Sequence, residues 1–263
     1  MNGQMFQPVS AWIKLQLGLL PHPLVVGVSG MQGIGKSTLC AQLVEDFTHQ
    51  GFNVLSISID DFYLTRAEQQ SLADQNPENP LLQQRGYPGT HDLSLGVNVL
   101  QALLSLKAGE TAQIPVYDKS AYQGKGDRLP EAQWKNIEGP IDLILFEGWM
   151  SGFVPALNEA QLNPALATIN KKLAEYSSWW SLVDRWVFLD PMQDELVVDW
   201  RVEAEEKMKA QGKAGMTTAE IRAYAEKFVQ AYELYLPIFR DHLKSLDDEQ
   251  SLILRIQKDR SVE

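Results

Sequence analysis

An apolar run, Leu24-Val25-Val26-Gly27-Val28, leads into Gly30-Met31-Gln32-Gly33-Ile34-Gly35-Lys36-Ser37, and this junction constrains the chain more than any other segment. The run's length and branching suit a strand buried on both faces of a parallel sheet. Behind the glycines, Leu39, Cys40, Leu43, Val44 and Phe47 recur at helical spacing until Gly51, so the unit reads strand, glycine loop, helix. The octet fits G-x-x-x-x-G-K-[ST] at every specified position. Such a loop needs glycine because its backbone N–H groups turn inward around phosphate oxygens, where the helix N-terminus adds positive potential. Gly30, Gly33, Ile34, Gly35, Lys36, Ser37 and Thr38 are therefore the nucleotide-binding candidates. Lys36 bridges the outer phosphate oxygens and Ser37 offers its hydroxyl to Mg²⁺.

Buried-type strands are also expected over 54–59, 141–146 and 185–189, with a fifth over 251–256. Helical patterns lie between or after most of them, which argues for parallel βαβ units. The expected fold is the α/β fold of P-loop NTPases, a mainly parallel five-stranded sheet with helices on both faces. Asp190-Pro191 reads as the cap and first residue of a helix, and Thr217 with Glu220 as a capping box ahead of a long amphipathic helix. The region 60–139 differs: it shows one clear helix over 95–106 and many Pro/Gly turns, a loop-rich insertion at the end of a sheet where substrates bind.

At 263 residues the chain is read as one domain over 1–263, long enough to need no disulfide or metal staple. The single cysteine, Cys40, and the lack of a basic leader or a long apolar run point to a reducing, cytoplasmic setting without a membrane span. A formal charge of −11 repels nucleic-acid phosphates and anionic lipid. Nucleic acid and membrane are therefore not expected partners, and the pattern does not set an oligomeric state.

Phosphoryl transfer also needs a group that orients or deprotonates the nucleophile and an acid for the metal's water shell. Asp60 and Asp61 end the second strand beside the glycine loop, and either carboxylate could take the proton of an attacking hydroxyl. Glu147 ends the third strand just before Gly148 and is the metal-site acid. Arg201, Lys207, Lys209 and Lys213 lie near Gly212 and Gly215, so a lid is expected over 191–216, with Arg201 closing on the transferring phosphoryl group.

Asp60-Asp61-Phe62-Tyr63, Ile114-Pro115-Val116-Tyr117-Asp118 and Leu145-Phe146-Glu147-Gly148 resemble the phosphoribulokinase and uridine kinase group of P-loop kinases. The resemblance points to Asp60 as the catalytic base. More narrowly, Arg85-Gly86-Tyr87-Pro88-Gly89-Thr90-His91-Asp92, Tyr117-Asp118-Lys119-Ser120-Ala121-Tyr122, Gly126-Asp127-Arg128 and Phe146-Glu147-Gly148-Trp149 are similar to the D-glycerate 3-kinase family of plant and cyanobacterial type. That likeness implies transfer of the γ-phosphate of ATP, with Mg²⁺, to the 3-hydroxyl of D-glycerate, a salvage step of the photorespiratory kind. A small anionic acceptor wants cations and N–H donors. Arg66, Arg85, His91, Lys119, Lys125 and Arg128 supply them, and Tyr63 and Tyr117 could orient the acceptor.

Two other readings differ in acceptor or class. One is a kinase of a nucleoside, pantothenate or another hydroxylated metabolite, in which a nucleoside base would stack on rings such as Phe62, Tyr87, Tyr122 and Trp149. A nucleotide-hydrolysing switch would want a guanine motif, and Asn170-Lys171-Lys172-Leu173 lacks its final Asp.

Overall fold

The computed structural model describes residues 3–21, 23–210, 217–247 and 249–263. Helix α1 (Gly3–Leu19) buries Met5, Val9, Ile13 and Leu17 along one stripe. Strand β1 (Leu24–Gly30) is buried at every position, and α2 (Lys36–His49) follows the glycine loop. Strand β2 (Val54–Ser58) ends in a 3₁₀ turn over Ile59–Phe62.

The insertion holds α3 (Arg66–Gln75), α4 (Leu93–Ser105), β3 (Thr111–Ile114), β4 (Tyr117–Asp118), the one-turn α5 (Ala121–Gly124), β5 (Asp127–Arg128) and β6 (Lys135–Glu138). Two small antiparallel pairs, β3 with β6 and β4 with β5, give it form. Helix α3 has too few apolar residues to show periodicity. Its signal was the capping box, in which the Thr65 side chain accepts from the Glu68 backbone and Glu68 reaches back to Thr65.

The chain returns to the sheet as β7 (Leu143–Gly148), passes through α6 (Pro164–Ala174) and α7 (Ser177–Trp180), and continues as β8 (Arg185–Pro191), α8 (Leu196–Ala210), α9 (Thr218–Lys244) and β9 (Ser251–Ile256). The order is β2-β7-β1-β8-β9, all parallel. The neighbours β1 and β7 send their connections to opposite sides, β1 to β2 and β7 to β8. The crevice at their carboxyl ends is where such sheets bind ligands.

Asp190-Pro191 does not start a helix. Both residues extend β8, pairing with Arg255 and Ile256 after β1 has ended opposite Leu189. On that half-free edge proline's missing N–H costs no ladder bond. Asp190 accepts from Arg240 Nε at 2.8 Å, which draws it to α9 rather than to a cap. The Thr217 capping box stands as expected, its hydroxyl accepting from Glu220 N and opening α9.

Gly96 shows where packing outweighs propensity. A methyl group there would lie 2.4–2.5 Å from the Trp179 indole, which is fixed by its N–H bond to the Leu93 carbonyl at 2.9 Å. Gly→Ala in a helix normally gains about 1 kcal/mol, whereas overpacking costs about 1–3 kcal/mol. We expect Gly96→Ala to lower the denaturation midpoint, and a raised midpoint would show that the indole moves freely.

Candidate active site

Register sets the floor of the site. In the sheet Glu147 lies opposite Val28 on one side and Ser58 on the other, so the strand ends deliver the glycine loop, Glu147 and the residues after Ser58 to one edge. Gly33 takes a left-handed φ of 84°, and a Cβ there would stand 2.8 Å from Trp200 Cβ, so both conformation and space demand glycine. Gly35 caps α2 from the same left-handed region. Ile34 is fully buried and anchors the loop, whereas Ser37 and Thr38 face solvent.

Lys36 is buried, and its Nζ donates to the carbonyls of Gly30 at 2.7 Å and Met31 at 3.1 Å. Burial pulls its pKa down, while the carboxylates of Glu147 and Asp60 oppose that pull. Ser37 Oγ donates to Glu147 Oε1 at 2.9 Å. Cys40, fully buried with its thiol pKa pushed up by burial, is a packing residue of α2.

The 3₁₀ turn separates the two aspartates left open above. Asp61 accepts from Ser58 N at 3.2 Å and closes a capping box, which makes it the structural member. Asp60 points the other way and accepts from Lys119 Nζ at 2.5 Å and from the Tyr63 hydroxyl. Burial alone would raise the Asp60 carboxyl. Lys119, through charge and hydrogen bond, outweighs it, and with His91 and Tyr63 holds the group at about 2.

Tyr63 is buried, stacks on His91 with ring centroids 4.4 Å apart and meets Tyr117 edge-on at 5.2 Å. His91 is buried too, its Nδ1 2.7 Å from the Tyr176 hydroxyl. Arg85 donates to the carbonyls of Gly124 and Lys125, and to that of Lys119 at 3.3 Å, while its guanidinium lies over Tyr117 at 5.6 Å. It therefore braces the loop that carries Lys119. Arg128 is directed at Asp92 (3.2 Å) and Glu68 (3.7 Å), which ties β5 to α4 and α3. Arg66 and Lys125 contribute backbone contacts, Arg66 through its N–H to Asp127 at 2.8 Å and Lys125 through its carbonyl to Arg85.

Arg201 reaches the site from α8. Its guanidinium lies 5.7 Å from the Tyr224 ring centroid and 3.8 Å from Glu205, and its Nε is buried with no hydrogen-bond partner among the described residues. Lys209 is exposed, while the Lys207 side chain, Gly212, Lys213 and Gly215 lie outside the described residues. The Tyr224 hydroxyl couples electrostatically to Arg201, Arg85, Asp60 and Lys119, which puts these groups in one neighbourhood.

Sequence reasoning missed three contributors. Tyr224 and Tyr232 sat on the apolar stripe of α9 and read as core, yet the Tyr232 hydroxyl accepts from the Gln32 N–H in the glycine loop at 3.2 Å. Arg260, beyond the last strand, donates to the Gly33 carbonyl at 3.0 Å and to Glu203 at 2.7 Å. No local sequence signal marks it.

The glycine loop on a 2-7-1-8-9 parallel sheet defines a P-loop nucleotide-binding protein. Within that class the chain belongs to the phosphoribulokinase/uridine kinase family, whose model matches residues 25–162. It is 39% identical over 269 aligned residues to the chloroplastic D-glycerate 3-kinase of Arabidopsis thaliana, covering 97% of this chain and 59% of that protein. An uncharacterized kinase of Schizosaccharomyces pombe is 38% identical, with 82% of each chain covered. Among solved structures, D-glycerate 3-kinase from Cryptococcus neoformans var. grubii superposes with a TM-score of 0.87 at 32% identity, covering 99% of this chain and 98% of that one. No helix among the described residues is long and apolar enough to cross a membrane.

Replacing Lys119 isolates what holds Asp60 down. In Lys119→Met burial acts unopposed by its largest partner, so the Asp60 pKa should climb from about 2. A carboxyl titration followed by NMR reads this directly, and an unmoved Asp60 would refute the pairing. The native pair adds stability above the unfolded carboxyl's pKa of ~4 and loses it as pH falls toward the folded value. With side chains 57% and 25% exposed, that contribution is under about 1 kcal/mol.

Proposed function

We propose that this chain is an ATP-dependent kinase that phosphorylates the 3-hydroxyl of D-glycerate to give 3-phosphoglycerate. The observation that carries the reading is the ionised Asp60, paired with Lys119 and placed at the strand edge where Lys36 feels both Asp60 and Glu147. A phosphate loop and a ready carboxylate at one edge suit transfer to an alcohol rather than hydrolysis alone. Two relatives carry the name D-glycerate 3-kinase, and the chain spans 59% of the plant protein's length.

The acceptor side favours a small anion. Arg85, Arg201 and Lys119 gather around Tyr224 and Asp60, which suits a carboxylate next to the reacting hydroxyl. A nucleoside base would need a free aromatic face. Phe62, Tyr87 and Trp149 are all buried, Tyr87 stacked on Phe228 at 5.1 Å, and only Tyr122 of those four rings is exposed. Asn170 is equally spoken for: it is buried and exchanges hydrogen bonds with the Ala156 backbone at 2.8 and 3.0 Å, a structural role unlike that of a guanine contact.

In this mechanism the loop N–H groups and Lys36 hold the phosphates, Lys36 exchanging its bonds to loop carbonyls for phosphate oxygens. Asp60 orients the acceptor hydroxyl. A carboxylate with a pKa near 2 is a weak base, so it takes the proton late, as the new P–O bond makes the hydroxyl acidic. Arg201 stabilises charge on the transferring group, with α8 forming part of a lid over 191–216 and 60–139 forming the acceptor side of a single kinase domain. Tyr63, Arg85, His91, Tyr117, Lys119 and Arg128 line or brace the acceptor pocket.

Mg²⁺ suits Ser37 and Glu147. It keeps most of its waters and asks for one or two hard protein oxygens beside the phosphates. Their oxygens lie 2.9 Å apart at the loop, and among the described residues no cluster of three His, Cys, Asp or Glu side chains offers a rival site. When bound, the ion neutralises charge on the phosphate oxygens. The reading places a photorespiratory-type salvage reaction in the cytoplasm, in keeping with the free Cys40.

ADP release from Mg·ATP against D-glycerate, L-glycerate, uridine, pantothenate and buffer tests the reading. Turnover should depend on D-glycerate, and equal rates with buffer would reject it. Asp60→Asn should lower kcat by about 10²–10⁴ while ATP affinity holds. Lys36→Ala should lose both turnover and nucleotide binding.

A further inference from the structure

His91 presents a polar atom with nothing to bind. Its side chain is buried between the Tyr63 ring and Trp179, whose centroids lie 4.4 and 5.8 Å away, and Nε2 has no hydrogen-bond partner among the described residues. An orphaned buried donor or acceptor is costly and marks an unfilled role. The other ring nitrogen is held by Tyr176, which comes from the segment between α6 and α7 and is itself fully buried.

The Tyr176 hydroxyl settles which nitrogen carries the proton. Gly89 N–H donates to its oxygen at 2.9 Å. Among the described residues the phenolic hydrogen has no acceptor other than His91 Nδ1 at 2.7 Å, so the hydroxyl donates there. Nδ1 then accepts, and the hydrogen of the neutral ring sits on Nε2. Burial keeps the ring neutral, its pKa lowered to about 3.

We infer that Tyr176 is a positioning residue that locks His91 as an Nε2–H donor for an oxygen of the acceptor substrate. Tyr63 stacks on His91 while donating to Asp60, so the imidazole belongs to the Asp60 pocket. The inference deepens the kinase reading and rests on it for the identity of the oxygen. A donor preset in one tautomer binds a carboxylate or hydroxyl oxygen without reorganising, and it penalises an acceptor that lacks that oxygen.

The test uses the full chain labelled with ¹⁵N-histidine. Four histidines are present, and the His91 signals are those lost in His91→Gln. Long-range ¹H–¹⁵N spectra should show a protonated Nε2 and a bare Nδ1 for His91, with the Nε2–H signal moving on addition of D-glycerate. Tyr176→Phe should mix or reverse the tautomers and raise the acceptor KM about tenfold while the ATP KM holds. Since that variant also strips a partner from the Gly89 N–H, a second pair separates the role from folding. Gln places an amide N–H where Nε2 sits, and Asn places it where Nδ1 sits, so the acceptor KM of His91→Asn should exceed that of His91→Gln by about tenfold. A protonated Nδ1 in the wild type, a stationary Nε2–H signal at saturating acceptor, or equal KM values for Gln and Asn would overturn the inference. Absence of D-glycerate-dependent ADP release would instead remove glycerate as acceptor, and the wild-type tautomer would still decide whether Tyr176 sets the ring.

Discussion

Strand β7 hydrogen-bonds between β1 and β2, and that pairing aligns Val28, Glu147 and Ser58 in one row. Every later feature of the nucleotide end inherits this row. The glycine loop leaves β1 two residues further on, Asp60 leaves β2 two residues further on, and Glu147 lies between them within hydrogen-bonding reach of Ser37. A slip of one residue in β7 would exchange its two faces and remove Glu147 from Ser37, because successive strand side chains point to opposite sides.

Around this row the fold buries charge where a purely stabilising design would place apolar groups. Lys36 and Glu147 are both more than nine-tenths buried, and desolvating such groups costs several kcal/mol each before pairing offsets it. Their neighbours compensate. Lys36 has two loop carbonyls, Glu147 has Ser37, and Asp60 has Lys119 and Tyr63. The same groups are those a phosphoryl transfer requires, so the local cost coincides with the chemistry.

Aromatic packing closes the side of the molecule beneath α9. Tyr87, Trp149, Phe228 and Tyr232 contact one another at 5.1–5.8 Å and form a wall beneath α9. Those rings are occupied with each other. The glycines at 86 and 96 allow that wall and the Trp179 cluster to close, since a Cβ at either would press on an aromatic ring.

Local patterning alone determined the five parallel strands, the phosphate loop, the capping box at Thr217, and the candidacy of Asp60 and Glu147, whereas the helix opened by the Thr65 box went unread. Each rests on residues close in the chain, where periodicity and loop geometry leave few alternatives. Tertiary structure decided the rest. It gave Asp60, to which the family resemblance points, the Lys119 partner and Asp61 the Ser58 cap. It turned Arg128 to Asp92 and Glu68, made Asp190-Pro191 a strand end, and brought Tyr224, Tyr176 and Arg260 to a site far from them in sequence. Such outcomes depend on which partner a long side chain meets across elements. That choice is set by packing and desolvation among residues tens to hundreds of positions apart, and no local spacing encodes it.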